Sequence, residues 1–167
     1  KVFVNMLADI KAKAEKEKLE SEKAIAENKI RLEKAREQAV TLPNGVAVYV
    51  FEKGLGSKPI AGDQVQIDYA GFLANGVLFD SGIEAIATKF NKFDSRRKAA
   101  NAYKPIPFNY GDKNGLIPGF IAGLETLNYG DKALVFIPSK LGYGERGAGG
   151  IIPPNSDLVF ELHLLNK

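Results

Sequence analysis

The chain of 167 residues has no cysteine. Disulfides, thiolate catalysis and cysteine-ligated metals are therefore excluded. A single histidine, His163, excludes a multi-histidine metal site and leaves few routes to acid–base catalysis. No apolar run approaches the ~18 residues of a membrane span. Charge of either sign is not in surplus: 23 Lys and Arg stand against 20 Asp and Glu, net +3. Glycine and proline are missing from residues 1–40, where Phe3 is the sole aromatic residue, although the chain holds 17 Gly and 8 Pro. Two kinds of polymer therefore meet near Thr41. The 45% hydrophobic content supports a packed core and excludes wholesale disorder. The chain begins at Lys1, which reads as a fragment or a processed form. Compartment stays open on composition alone.

Residues 1–40 are rich in Ala, Glu, Lys, Leu and Arg, and are expected to form one long helix. Its apolar stripe is thin. Phe3, Leu7, Ile10 and Ala14 form one run, and Ile25, Asn28, Leu32, Ala35 and Ala39 resume it. Glu17 and Ser21 occupy the seam between them, where a coiled coil wants apolar residues. A solvated connector, a dimerising or partner-packing arm, and disorder all remain open. Pro43, Asn44 and Gly45 are expected to end the helical region.

Beyond Thr41 the pattern changes to strands. Val46, Val48 and Val50 alternate with Ala47, Tyr49 and Phe51, and Val65, Ile67 and Tyr69 alternate with Gln66 and Asp68. Val77–Phe79 follows an Asn75-Gly76 turn signal, and Ala133–Ile137 and Leu158–Leu165 complete the set. One short helix is expected after Pro118, with Ile117, Phe120, Ile121 and Leu124 on one face. The fold class is α+β over residues 41–167. Residues 83–103 interrupt the strand rhythm: Ile83, Ile86, Phe90 and Phe93 recur at helical spacing. This segment carries +3, the arm +2 and the remaining body −2. With aromatic interleaving limited to Phe90 and Phe93, the basic charge does not read as a nucleic-acid surface.

Four segments in order carry a resemblance. They are Val65-Gln-Ile-Asp-Tyr-Ala-Gly71, Gly76-Val-Leu-Phe-Asp-Ser81, Gly115-Leu-Ile-Pro-Gly-Phe120, and Ile137-Pro-Ser-Lys-Leu-Gly-Tyr-Gly144 running on to Gly150-Ile-Ile-Pro-Pro154 and Leu158-Val-Phe160. Together they resemble the FKBP family of peptidyl-prolyl cis-trans isomerases. The resemblance covers neither residues 1–40 nor roughly 83–103. It implies a strongly bent antiparallel sheet wrapped over one short helix, with an apolar proline pocket between them. It implies pocket residues Tyr69, Phe79, Asp80, Ile117, Phe120, Tyr143 and Phe160, with Leu116, Ile106, Ile151 and Ile152 also contacting substrate. Phe120 takes the floor, where many members carry Trp, and Tyr143 and the Ile117 amide are the implied donors to substrate carbonyls. Ile106 stands where an aromatic is usual, and Ala148 stands at the tip of the long loop.

The implied activity is isomerisation of X–Pro bonds in protein chains, assisting folding without cofactor or metal. The implied partners are proline-containing polypeptides and macrolides of the FK506 or rapamycin kind. The arm resembles in placement the helical dimerisation segments of some bacterial members, which implies a homodimer through residues 1–40 and leans toward the bacterial periplasm or cell envelope, with the cytoplasm open. The alternative is a low-activity binding or chaperone module that holds clients with the pocket, the arm and the basic insertion. His163 alternates with Leu162 and Leu164 and is expected to face away from the core.

Overall fold

The computed structural model describes residues 2–167, and side chains from Val4 onward. Phe3 of the expected seam lies outside the described side chains. Helix α1 (Val2–Gln38) leads into strands β1 (Val40–Thr41), β2 (Ala47–Glu52), β3 (Gln64–Leu73) and β4 (Leu78–Ser81). Two short helices follow, α2 (Glu84–Lys89) and α3 (Ser95–Ala99), then β5 (Ile106–Asn109), α4 (Pro118–Leu124), β6 (Lys132–Ile137) and β7 (Leu158–Leu164). The strands form one antiparallel sheet in the order β1-β2-β6-β7-β3-β4, with β5 also paired to β3. The first half of β3 pairs with β5 and its second half with β4, so two short strands share one edge.

Pro43–Gly45 does not end the helix. It closes a hairpin between β1 and β2, in which the Leu42 N–H donates to the Val46 carbonyl at 2.7 Å and the Asn44 side chain accepts from Val46 N–H. Asn75-Gly76 makes the β3–β4 hairpin as the turn signal predicts. The expected short helix under the sheet is α4, and the helical spacing of the 83–103 segment appears as α2 and α3. Strand β5 was not read as a strand, because its Ile106-Pro107-Phe108-Asn109 sequence is short and interrupted by proline. His163 lies on the face of β7 opposite the main core, as expected, paired in register with Asp68 and Lys132.

Both faces of the sheet are covered. On the front, Val65, Ile67 and Tyr69 of β3, Val135 and Ile137 of β6, and Leu158, Phe160 and Leu162 of β7 pack against Phe120, Ile121 and Leu124 of α4. On the back, Ala70, Phe72, Leu134 and Val159 pack against Ala24, Leu32 and Ala35 of α1 and Phe90 after α2. The central strands therefore lose their polar side over this stretch, as sheets buried on both faces do.

Helix α1 has two halves with different fates. Residues 4–20 are exposed throughout. From Ser21 onward the buried positions recur as Ser21, Ala24, Asn28, Leu32 and Ala35, a stripe of helical period that lies on the sheet's back. Asn28 is no defect in that stripe. Its Nδ2 donates to the Gly76 carbonyl at 3.0 Å, and its Oδ1 accepts from Arg31 Nε. Gly76 needs to be glycine for two reasons: its φ is +91°, and a Cβ there would stand 2.5 Å from the Ile25 carbonyl oxygen. Arg31 also pairs with Glu161 of β7 at 2.8 Å. The half of the arm beyond Ser21 thus packs on the sheet of its own chain.

Candidate active site

Strand β3 sets the site. At Gly71 the strand offers bare backbone, and a Cβ would stand 2.5 Å from Phe79 Cζ and 2.9 Å from Phe160 Cε1. That gap lets an aromatic cluster form above the sheet. Phe160 sits at its centre, edge-on to Phe79 at 5.5 Å and to Phe120 at 5.1 Å between centroids. Phe120 is 2% exposed and comes from the first turn of α4, where Pro118 fixes the helix start. These rings, with Tyr69, Asp80, Ile106, Gly115, Leu116, Ile117 and Tyr143, line an open cavity of about 410 Å³.

Neither the Tyr143 hydroxyl nor the Ile117 backbone N–H has an internal acceptor among the described residues. Tyr143 is 39% exposed, and Ile117 is half-buried at the N-cap of α4. Apolar walls with few placed donors suit a ligand that is mostly hydrophobic and carries carbonyls.

The polar edge is a closed triad. The Tyr69 hydroxyl donates to Asp80 Oδ2 at 2.7 Å. Arg97 donates from Nη1 to Asp80 Oδ1 at 2.7 Å and from Nη2 to the Tyr69 oxygen at 3.1 Å. Its Nε donates to the Ala102 carbonyl, and its guanidinium lies 4.9 Å from the Tyr103 ring centroid. Burial pushes the Tyr69 phenol up to about 12; the Arg97 hydrogen bond opposes this and the Asp80 carboxylate reinforces it. Tyr69 is therefore a neutral donor at physiological pH. A phenol raised above its ordinary 10.0 stabilises the fold below that value and loses the contribution as pH climbs through about 12. We expect Tyr69→Phe to remove one high-pH step from the ultraviolet phenolate titration; an unchanged titration would contradict the buried, hydrogen-bonded Tyr69 phenol.

The cavity brings together nine of the eleven residues expected from the sequence: Tyr69, Phe79, Asp80, Ile106, Leu116, Ile117, Phe120, Tyr143 and Phe160. Ile151 and Ile152 stand outside it. The backbones of Ala148 and Ile152 bond each other in both directions, folding the loop onto itself. Ile152 is then buried in the main core, and Ile151 points outward. Sequence reasoning missed Gly115 and Arg97. The second left a signal: Asp94 two positions before Arg96 is a helix cap, and its side chain accepts from both Arg96 N–H and Arg97 N–H.

Comparison with known proteins gives the family and the fold. The model of the FKBP-type peptidyl-prolyl cis-trans isomerase family matches residues 56–165. The chain belongs to that family. It is 36% identical to the FKBP-type 22 kDa peptidyl-prolyl cis-trans isomerase of Escherichia coli, over 80% of this chain and 55% of that protein. It is 32% identical to the outer membrane protein MIP of Legionella longbeachae, over 95% of this chain and 58% of the relative. The FK506-binding protein 1 of Dictyostelium discoideum is 35% identical over 72% of this chain and 96% of its own length. Among solved structures, FkpA from Escherichia coli superposes with a TM-score of 0.58 at 29% identity, covering 98% of this chain and 70% of that one. The chain spans about half the length of the Legionella, Aeromonas and Escherichia relatives it matches. This FKBP chain joins a long N-terminal helix to the antiparallel sheet and short helix that its relatives' family is known by.

Proposed function

We propose that this FKBP chain accelerates cis-trans rotation of X–Pro bonds in polypeptides. The observation that carries the reading is the 410 Å³ aromatic cavity, in which the Tyr143 hydroxyl and the Ile117 N–H are unengaged by the protein. X–Pro rotation breaks amide resonance and takes tens to hundreds of seconds unaided. No nucleophile, proton shuttle or metal is needed. The planar ground state is the more dipolar one, so an apolar cleft that strips water from the carbonyl disfavours it relative to the twisted state. Phe79, Phe120 and Phe160 would form that cleft around the proline ring. The Tyr143 hydroxyl and the Ile117 N–H would hold the substrate carbonyls, and donors already in place need no reorganisation during rotation. A protease-free assay on proline tetrapeptides tests this; no acceleration at micromolar enzyme would overturn it.

Macrolides of the FK506 class would occupy the same cavity, with Ile106 offering less wall than an aromatic. Two further readings extend to the whole protein. Val4, Met6, Leu7 and Ile10 are exposed on the first half of α1, which favours a homodimer through that half. Light scattering at twice 18.1 kDa would support the dimer and a monomer mass would exclude it. The name of the Legionella relative favours a place in the bacterial envelope; recovery of the full-length protein in the cytosolic fraction would overturn this.

A further inference from the structure

A second cavity adjoins the first across the Phe79–Asp80 edge. It encloses about 190 Å³ between that edge and the 83–103 insertion, and it shares Phe79 and Asp80 with the aromatic cavity. At about 30 Å³ per water, the space suits one side chain of moderate length. Four charged groups line it: Asp80, Arg97, Asp94 and Lys92. Three of them are held in whole or in part by the protein. Asp80 and Arg97 hold each other at 2.7 Å. Asp94 Oδ1 is held by two backbone N–H groups at the start of α3. Lys92 has no carboxylate within 4.0 Å among the described residues. Tyr103 also lines the cavity; its oxygen accepts from Asp94 N–H, and its hydroxyl hydrogen has no protein acceptor among the described residues. The unengaged groups are thus the Lys92 ammonium, the Tyr103 hydroxyl hydrogen and Asp94 Oδ2, two donors and one acceptor, within a segment of net charge +3.

We propose that this cavity is a specificity subsite for an acidic side chain, Asp or Glu, near the proline of the bound polypeptide. The proposal rests on the isomerase reading of the adjoining cavity. A chain seated over Phe120 and Phe160 has to pass the Asp80 rim on one side, and a side chain pointing over that rim enters the second cavity. A carboxylate there meets Lys92 and the Tyr103 hydroxyl. A cationic side chain meets Lys92 as a like charge. Lys92 is the residue that determines the preference, and the Arg97–Asp80 pair is the wall between the two cavities.

The test measures kcat/KM on a proline peptide series with Glu, Gln or Lys placed in turn at each position flanking the X–Pro unit. The quantity read is the Glu-to-Gln ratio within each protein. At one position the wild-type ratio is expected to be about two- to fivefold, the range of a solvent-accessible ion pair. It should shrink at ~1 M salt, where the Debye length is ~3 Å. Lys92→Gln should bring the ratio to about one, and Lys92→Glu should invert it in favour of the Lys peptide. Lys58→Gln removes the same charge outside both cavities and should leave the ratio as in wild type. A ratio of about one at every position in wild type, or a preference that survives Lys92→Gln, overturns the subsite. Failure of the isomerase reading looks different, because the Gln peptides would then show no acceleration either.

Discussion

Phe120→Ala is expected to lower kcat/KM on proline peptides by about a hundredfold, the loss that follows when a bound group is no longer held in register with its donors. Phe120 is the floor of the cavity and the edge-on neighbour of Phe160. Removing its ring deletes the surface that excludes water from below, and frees Phe160 to tilt into the gap. A buried Phe→Ala change also costs about 3–5 kcal/mol of stability. Against a typical 5–15 kcal/mol this leaves a folded majority over all but the lowest part of that range, and near-ultraviolet circular dichroism shows whether the variant is folded. Phe120→Leu keeps apolar volume at the floor and should retain intermediate activity. Tyr143→Phe removes one exposed donor and no wall, so it should cost about three- to tenfold, as a single neutral hydrogen bond does. Wild-type rates in folded Phe120→Ala protein would overturn the pocket assignment.

The contrast between these residues explains what was legible in the sequence. Tyr69, Phe79, Phe120 and Phe160 sit in short, glycine-punctuated segments whose order is distinctive, and regular strand alternation puts Tyr69 and Phe160 on one face with their neighbours. Ile151 and Ile152 sit in a loop where no period operates, and the Ala148–Ile152 bridge that turns them away from the cavity depends on backbone pairing that composition does not encode. Arg97 was hidden for another reason. It lies 17 positions beyond Asp80, inside a segment that resembled nothing, and its role emerges only when Phe90 packs on Phe72 and brings the insertion back over the rim. Strand periodicity also speaks for one face at a time. Phe72, Leu134 and Val159 are apolar on the face that alternation assigns to solvent, and their burial follows from α1 lying across them.

That cover gives the second large effect. Leu32→Ala is expected to destabilise the folded chain by about 2–5 kcal/mol, the cost of a large-to-small change in a packed core. Leu32 is 2% exposed and packs among Ala35, Phe72, Leu134 and Val159. Leu19→Ala, on the same helix and 65% exposed, is expected to change stability by no more than about 0.5 kcal/mol. Urea unfolding of the two variants measures both numbers on one baseline. Equal stabilities would mean that α1 does not pack on the sheet in solution. The same asymmetry decides how the arm should be cut in any test of client holding. Removing residues 1–18 strips only the exposed half of α1, with Val4, Met6, Leu7 and Ile10, and leaves the back-face cluster intact. Removing residues 1–38 uncovers Ala70, Phe72 and Val159 and takes away the partner of the Asn75-Gly76 hairpin, so aggregation of that truncated chain would report a damaged sheet. A role for the arm in gripping unfolded clients is therefore to be read from the shorter deletion, which should lose aggregation suppression and keep both peptide isomerisation and thermal stability if the exposed half is the grip.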